Sequence, residues 1–128
     1  KNNSVKCLVS MTRGEGYGLP LLEAAASGLP IIATGWSGHT DFLKGDGYLK
    51  LKYSLVPVSK SRIDNNIFVD GAKWAEPEIK SAVENLTKFR KYPSTYEKRA
   101  KEAAKKIKSN YSHEFISGLY EKELGEIL

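Results

Sequence analysis

The sequence predicts an α/β fold with a short parallel sheet of about three strands, accompanying helices, and a helical C-terminal region. The apolar run Val5–Met11 ends in a glycine-rich turn that leads into a helical segment. A second apolar run, Pro30–Thr34, follows this segment, and from Glu76 onward the chain is lysine-rich with apolar residues at helical spacing. Strands that alternate with helices along a chain are typical of parallel, doubly wound sheets.

Residues 1–58 are expected to form the α/β core. The continuous apolar character of the two runs predicts buried strands. A helix is predicted between them over Leu19–Ser27, because Pro20 suits the first turn of a helix and Gly28 suits a C-terminal cap. In Gly47–Tyr53, apolar residues (Leu49 and Leu51) alternate with lysines (Lys50 and Lys52). This alternation predicts a third, more exposed strand near an edge of the sheet.

The second half of the chain is expected to be a loop followed by helices. Residues 59–75 are predicted to be an irregular loop with a short strand at Asn66–Val69. In residues 76–128 the predicted helices are Glu76–Tyr92, Ser94 to about Ser109, and a last one capped by Ser112. Pro93 is expected to end the first helix, and a capping box at Ser94–Glu97 to open the second. Helical spacing predicts the packed face of the first helix, with Ile79, Val83, Leu86 and Phe89.

Composition limits the classes of protein to which this chain is expected to belong. The 128 residues are 41% hydrophobic and 27% charged, enough apolar material for one core. The net charge of +5 comes from lysines interleaved with acidic residues and no stacking motif, so we expect no nucleic-acid partner. One cysteine, Cys7, and two histidines favour a buried, inert thiol and no metal site. Without a leader or an 18-residue apolar run, we expect a cytoplasmic protein, peripheral attachment to a membrane remaining open.

The segment Gly14–Glu23 has the features of an anion site. Its three glycines, in five positions, allow a sharp turn and a close approach of the backbone to a ligand. The helix that follows directs free N–H groups and the positive end of its dipole toward the same place. This pattern is common in proteins, so on its own it identifies only a place suited to a phosphate or diphosphate.

Two carboxylates make the segment more specific. Glu15 lies in the glycine turn, whereas Glu23 is the only charged residue of a helix that is otherwise apolar on every side and is therefore expected to be buried. Carboxylates on both sides of an anion site suit a ligand with hydroxyls on both sides of a phosphate, as in a nucleotide sugar. The alternative is that Glu23 only pairs with a lysine or caps a backbone amide.

The stretch Ser10–Pro30, SMTRGEGYGLPLLEAAASGLP, resembles the signature of group 1 retaining glycosyltransferases, glycosyltransferase family 4, which have the GT-B architecture. The family hallmark is two glutamates separated by seven residues, matched here by Glu15 and Glu23. The family's Gly-Phe-Gly-Leu-Pro core is matched by Gly16–Pro20, with tyrosine in place of phenylalanine. The Ala-x-Gly-x-Pro-x-Ile-x-Thr continuation is matched by Ala26–Thr34.

The resemblance implies that residues 1–128 are the C-terminal part of a Rossmann-like, nucleotide-sugar-binding GT-B domain. It implies a hexosyltransferase-like enzyme that transfers a sugar to an acceptor hydroxyl with retention of configuration and without a cofactor. Glu15 would contact the donor sugar as the catalytic-site carboxylate. The implied donor-binding residues are Gly16, Tyr17, Gly18, Leu19 and Glu23, the last of them holding the ribose. The acceptor domain and the basic residues that clasp the diphosphate have no match here, so the chain alone is expected to be inactive.

The loop after the second predicted strand is expected to share the rim of the site. Its candidate residues are Ser37, Gly38 and His39. His39, at the start of a short helix predicted over His39–Leu43, either faces the ligand or is a partly exposed helix-start residue. Tyr17 is expected to fill the turn with its ring. Two other functions stay open at this point, a non-catalytic nucleotide- or phosphate-binding module and an interaction module that forms a homodimer through the free edge of Val5–Met11.

Overall fold

The computed structural model describes residues 4–125, and it has an α/β architecture with a helical C-terminal part. The strands are β1 Leu8–Ser10, β2 Ile31–Thr34, β3 Leu49–Leu51, β4 Tyr53–Pro57 and β5 Lys73–Pro77. The α-helices are α1 Leu19–Ala26, α2 Ile79–Lys91, α3 Pro93–Asn110 and α4 His113–Leu124. Short 3-10 turns occupy Gly38–Asp41, Gly45–Gly47 and Lys60–Arg62. The predicted α/β class and the three-stranded parallel sheet are confirmed.

The parallel sheet has the strand order β1-β2-β3, so β2 is central. All four residues of β2 are buried, as their apolar run predicts. The first strand differs from its prediction, because β1 covers only Leu8–Ser10 and Val9 is 41% exposed. The edge of β1 that faces away from β2 has no partner strand within residues 4–125, so the backbone groups on that side are unpaired by the sheet. Cys7, just before β1, is half-buried, and burial raises the pKa of its thiol.

The sheet is covered on both faces. Ile31 and Ala33 of β2 point to one face and pack with Leu21 and Ala25 of α1 and with α3, whose Ile107 joins the same cluster. Ile32 points to the other face, where it packs with Leu51 of β3 and Ala82 of α2. The core is thus a sheet between α1 and α3 on one side and α2 on the other.

The ends of α1 match the sequence prediction. Ser27 is the C-cap, and the amides of Gly28 and Leu29 donate to the carbonyls of Ala25 and Ala24 at 2.9 and 3.1 Å. These two bonds form a Schellman motif, with Gly28 in the left-handed conformation that closes it. The motif ends α1 and turns the chain directly into β2.

The prediction of an irregular loop over residues 59–75 is wrong at its end. Lys73–Pro77 forms β5, which pairs antiparallel with β4 over five residues on each strand. The connection includes Asn66–Val69, which is not a strand. There the carboxylate of Asp64 accepts three backbone amides, which lowers its pKa and fixes the turn. The predicted strand Gly47–Tyr53 is divided at Lys52 between β3 and the start of β4.

The predicted packed face of α2 is wrong for three of its four residues, whereas Phe89 is partly buried and packs against the cluster of Ile32, Leu51 and Ala82. Ile79 is 74% exposed and Val83 and Leu86 are exposed as well, whereas the buried residues of α2 are Ser81, Ala82 and Asn85. Ser81 Oγ accepts from the amide of Lys52 at 3.0 Å, and Asn85 Nδ2 donates to the carbonyl of Lys50 at 3.0 Å. Small and polar residues therefore face the sheet because they satisfy backbone groups of β3 and the residue after it.

The C-terminal region is helical as predicted, but α2 begins at Ile79 rather than at Glu76, because Glu76 and Pro77 belong to β5. The start of α3 differs from its prediction as well. Pro93 is the first residue of α3 rather than only the end of α2, and no side chain caps this helix, so the predicted capping box at Ser94 does not form. Ser112 caps α4 as predicted, since its Oγ accepts from the amide of Phe115 at 3.1 Å. None of the helices within residues 4–125 has the length and apolar character needed to cross a membrane.

Candidate functional site

The glycine turn after β1 and the loop after β2 are bound to each other at the carboxyl end of the parallel sheet. Ser37 Oγ accepts from the amide of Glu15 at 2.9 Å and donates to its carbonyl at 2.5 Å. The amide of Gly38 also donates to the Glu15 carbonyl, at 3.4 Å. A Cβ at position 38 would overlap the carbonyl of Gly16, so only glycine fits this crossing. The predicted rim residues Ser37 and Gly38 therefore hold the turn in place through its backbone.

The N-terminus of α1 opens directly from this turn. Gly18 is the N-cap of α1, with φ 82°, a left-handed conformation. Its carbonyl accepts hydrogen bonds from the amides of Leu21 and Leu22 at 2.9 and 3.0 Å. Within the described part of the chain, the amides of Gly16–Leu19 donate to no protein group. These free N–H groups, at the positive end of the helix dipole, are the anion-binding feature that the sequence predicts.

A cleft of about 720 Å³ lies beside the turn. It is lined from the parallel sheet by Met11, Thr12, Arg13, Gly14, Glu15, Gly16, Trp36 and Ser37, and from the β4–β5 hairpin by Phe68, Lys73 and Trp74. Glu15 is only half-buried, so its carboxylate is accessible from this space. The cleft has the size of a small-ligand site and combines aromatic walls with a carboxylate and cations.

The structure does not bring the two predicted glutamates into one cleft. Glu23 does not line the cleft around Glu15, and it is exposed on the outer side of α1. The expectation that Glu23 is buried is wrong, because α1 buries only Leu21 and Ala25 against the core. The carboxylate of Glu23 forms no ion pair or hydrogen bond with any residue between 4 and 125, so the alternative role of pairing with a lysine is not seen.

Tyr17 is fixed by aromatic neighbours. Its ring lies 5.5 Å from that of Phe42, and its hydroxyl is 2.5 Å from the hydroxyl of Tyr111, which follows α3. This bond, with some burial, raises the pKa of Tyr111 to about 12. The ring of Tyr17 thus packs on Phe42 while Tyr17 stays 39% exposed, and its hydroxyl ties the turn to the end of α3. Leu19, by contrast, is 59% exposed at the first position of α1.

His39 is fully buried, which differs from both roles considered for it. Its Nε2 lies 2.6 Å from the carbonyl of Thr34, so Nε2 carries the proton and donates, leaving Nδ1 as an acceptor. Neither Nδ1 of His39 nor Oγ1 of Thr34 has a hydrogen-bond partner within residues 4–125. A Cβ on Gly18 would lie 2.9 Å from that of His39. His39 therefore supports the glycine turn from below and does not face the cleft.

The hairpin is docked on the glycine turn through Arg13. The amide of Ala75 donates to the Arg13 carbonyl at 3.0 Å, and the guanidinium donates to both carboxylate oxygens of Glu76 at 2.6 and 2.9 Å. This pairing raises the pKa of Arg13 and lowers that of Glu76. Arg13 also lies over the ring of Trp74, 4.8 Å from its centroid. This wall is not among the features that the sequence predicts, although Val56, Val58 and Trp74 are β-branched and aromatic residues of the kind that strands favour.

Among residues 4–125, no three side chains of His, Cys, Asp or Glu come together as a metal site would require. A scan against protein-family models found no match. A search of curated proteins found none either.

Proposed function

We propose that this chain is the donor-binding part of a retaining glycosyltransferase that uses a nucleotide diphosphate sugar. The observation that carries the proposal is the row of four free amides, Gly16–Leu19, next to the accessible carboxylate of Glu15. The signature resemblance of Ser10–Pro30 to group 1 glycosyltransferases supports the same function. Fold class alone would not support it, because α/β sheets carry many unrelated functions.

The donor is proposed to lie across the turn with its sugar in the cleft. Glu15 accepts hydrogen bonds from sugar hydroxyls, and the amides of Gly16–Leu19 bind the diphosphate at the positive end of α1. Glu23 lies one helical turn further along α1, and its exposed, unpaired carboxylate is available to the ribose hydroxyls. This order of sugar, diphosphate and ribose is the order of groups in a nucleotide sugar.

The reaction breaks the bond between the anomeric carbon and the diphosphate oxygen and forms one from the same carbon to the acceptor oxygen, on the same face, while the proton of the acceptor hydroxyl passes to the departing diphosphate. The diphosphate leaves as an anion. Amides already oriented toward it stabilise the developing charge without having to reorganise. In this proposal Glu15 positions the sugar, and Ser37 positions Glu15 through its two backbone bonds.

The fold is proposed to be part of a larger Rossmann-like GT-B domain. Within residues 4–125 one edge of β1 is unpaired, and Val9 of this strand is exposed. A further strand and helix from the rest of that domain would bury both. The acceptor domain is proposed to be a separate part of the enzyme, so the 128-residue chain should bind ligand but transfer no sugar. Measurable transfer by the chain alone would overturn this division.

Nuclear magnetic resonance titration tests the proposal. Adding uridine, guanosine or adenosine diphosphate should shift the amide resonances of Gly16–Leu19 most, with one nucleoside preferred. Inorganic diphosphate should shift the same amides without the resonances of residues around Glu23. If no nucleotide shifts these four amides more than those of α4, which lies outside the site, the proposal is wrong.

A further inference from the structure

The β4–β5 hairpin adds a second wall to the cleft that the glycosyltransferase signature does not include. Phe68, Lys73 and Trp74 come from this hairpin, and they face Trp36 and the glycine turn across the same space. The diphosphate site proposed above lies on the α1 side of Glu15, whereas the hairpin borders the other end of the turn. The hairpin is therefore next to the sugar and away from the phosphates.

Hydrogen bonds, an ion pair and ring contacts hold the β4–β5 hairpin against the glycine turn. The hairpin is docked on the turn by the bidentate ion pair between Arg13 and Glu76 and by the hydrogen bond from the amide of Ala75 to the carbonyl of Arg13. Trp36 packs on Tyr53 at the start of β4, with ring centroids 5.6 Å apart. Trp74 packs edge-on with Phe68 at 5.8 Å. Aromatic side chains fixed in this way provide flat apolar surfaces at little entropic cost.

The charges in the wall are not balanced. Arg13 is neutralised by Glu76. Lys73 lines the cleft, Arg62 lies 5.9 Å from the ring centroid of Trp74, and neither forms an ion pair with any residue in 4–125. The cleft is thus lined by Glu15, by the exposed indole of Trp36 and by Lys73, whose ammonium has no carboxylate partner within residues 4–125.

We propose that this wall selects a sugar with an anionic substituent, a uronate, with Lys73 as the specificity-determining residue. A pyranose ring has an apolar C–H face that fits an indole and hydroxyls that suit the Glu15 carboxylate. Its sugar carboxylate pairs with the ammonium of Lys73, a charge-assisted hydrogen bond stronger than one to a neutral group. The inference rests on the proposed function only in taking this cleft as the site of the transferred sugar.

Intrinsic fluorescence offers a direct test, because both tryptophans of the chain line the cleft. The chain is titrated with glucuronate, galacturonate, glucose and glucose 6-phosphate, at matched ionic strength. A uronate should change the fluorescence at concentrations about tenfold lower than glucose does. Glucose 6-phosphate is an anionic sugar without a carboxylate. Comparing it with the uronates shows whether the cleft prefers a planar carboxylate or any anion.

The variant Lys73→Gln should remove the preference for a uronate over glucose, whereas Lys73→Arg should keep it. Lys80→Gln, a change at an exposed lysine of α2, is the matched control and should bind as the unchanged chain does. Equal binding of uronates and glucose, an unchanged preference in Lys73→Gln, or no response to any of these sugars would overturn the inference. Nucleotide binding at Gly16–Leu19 would survive each of these results, so the two proposals fail separately.

Discussion

The backbone of Gly38 crosses that of Gly16 so closely that a methyl group on Gly38 would overlap the Gly16 carbonyl oxygen. The amide of Gly38 donates to the Glu15 carbonyl at the same crossing. The shape of the glycine turn therefore depends on a residue from the loop after β2, which is 22 positions further along the chain. The two loops act as one unit.

Gly38→Ala should displace the glycine turn. The added methyl group has no space, so we expect a loss of about 1–3 kcal/mol in the free energy of unfolding, together with weaker nucleotide binding. Gly14→Ala is the control, since a Cβ there meets nothing within 4 Å. Thermal denaturation of both variants measures the difference. Equal melting temperatures for the two would contradict the close crossing.

The sequence predicts well those features that depend on neighbouring residues. The C-terminal cap at Gly28, the Ser112 cap of α4 and the buried strand β2 each follow from a few adjacent side chains. The glycine turn and its rim are also predicted, because glycine spacing and a helix start are local signals. The role of Tyr17 as a filler of the turn stays a prediction, since its ring packs on Phe42 and Tyr17 is 39% exposed.

Features that depend on distant partners are not predicted. The hairpin pairs Tyr53 with Pro77 across a long connection, and no tight turn marks it in the sequence. The exposed side of α2 was mistaken for its packed side, because Asn85 faces the sheet in order to bond a carbonyl of β3. The burial of His39 depends on its bond to Thr34, which helical spacing does not reveal.

The Tyr17–Tyr111 bond should give the protein a stability change in alkaline solution. The pKa of Tyr111 is raised from 10.0 to about 12 mainly by this bond. Its stabilising effect is therefore complete below about pH 10 and is lost as the pH rises toward 12. In Tyr17→Phe, a difference absorbance titration should show Tyr111 ionising at lower pH. An unchanged titration curve would mean that the bond does not form.

The Arg13–Glu76 pair should hold the hairpin more weakly in acid. The pKa of Glu76 is lowered below 4.5 by the hydrogen bonds from Arg13, so the stabilisation is present above pH 4.5 and lost as the pH falls through the lowered value. Hydrogen exchange of the β5 amides should accelerate in Glu76→Gln at neutral pH. It should stay unchanged in Glu84→Gln, an exposed control on α2. Equal protection in both variants would contradict the docking role.

The free edge of β1 should allow self-association. Its backbone groups are unpaired on one side within residues 4–125, and exposed Val9 and Met11 add apolar surface. Sedimentation velocity over a range of concentrations should show a dimer that Val9→Lys weakens. A monomer at every concentration would count against an interaction surface at this edge and would favour burial of β1 by another part of the same protein.

Calorimetric titration with ribonucleoside and 2′-deoxyribonucleoside diphosphates tests the central claim most directly. The chain should bind the ribonucleotide about tenfold more tightly, since Glu23 accepts from its hydroxyls, and Glu23→Gln should abolish this difference while Glu84→Gln preserves it. Equal binding of the ribonucleotide and the 2′-deoxyribonucleotide would contradict the proposal that this chain is a nucleotide-sugar-binding part. A Glu23→Gln variant that still prefers the ribonucleotide would contradict it as well.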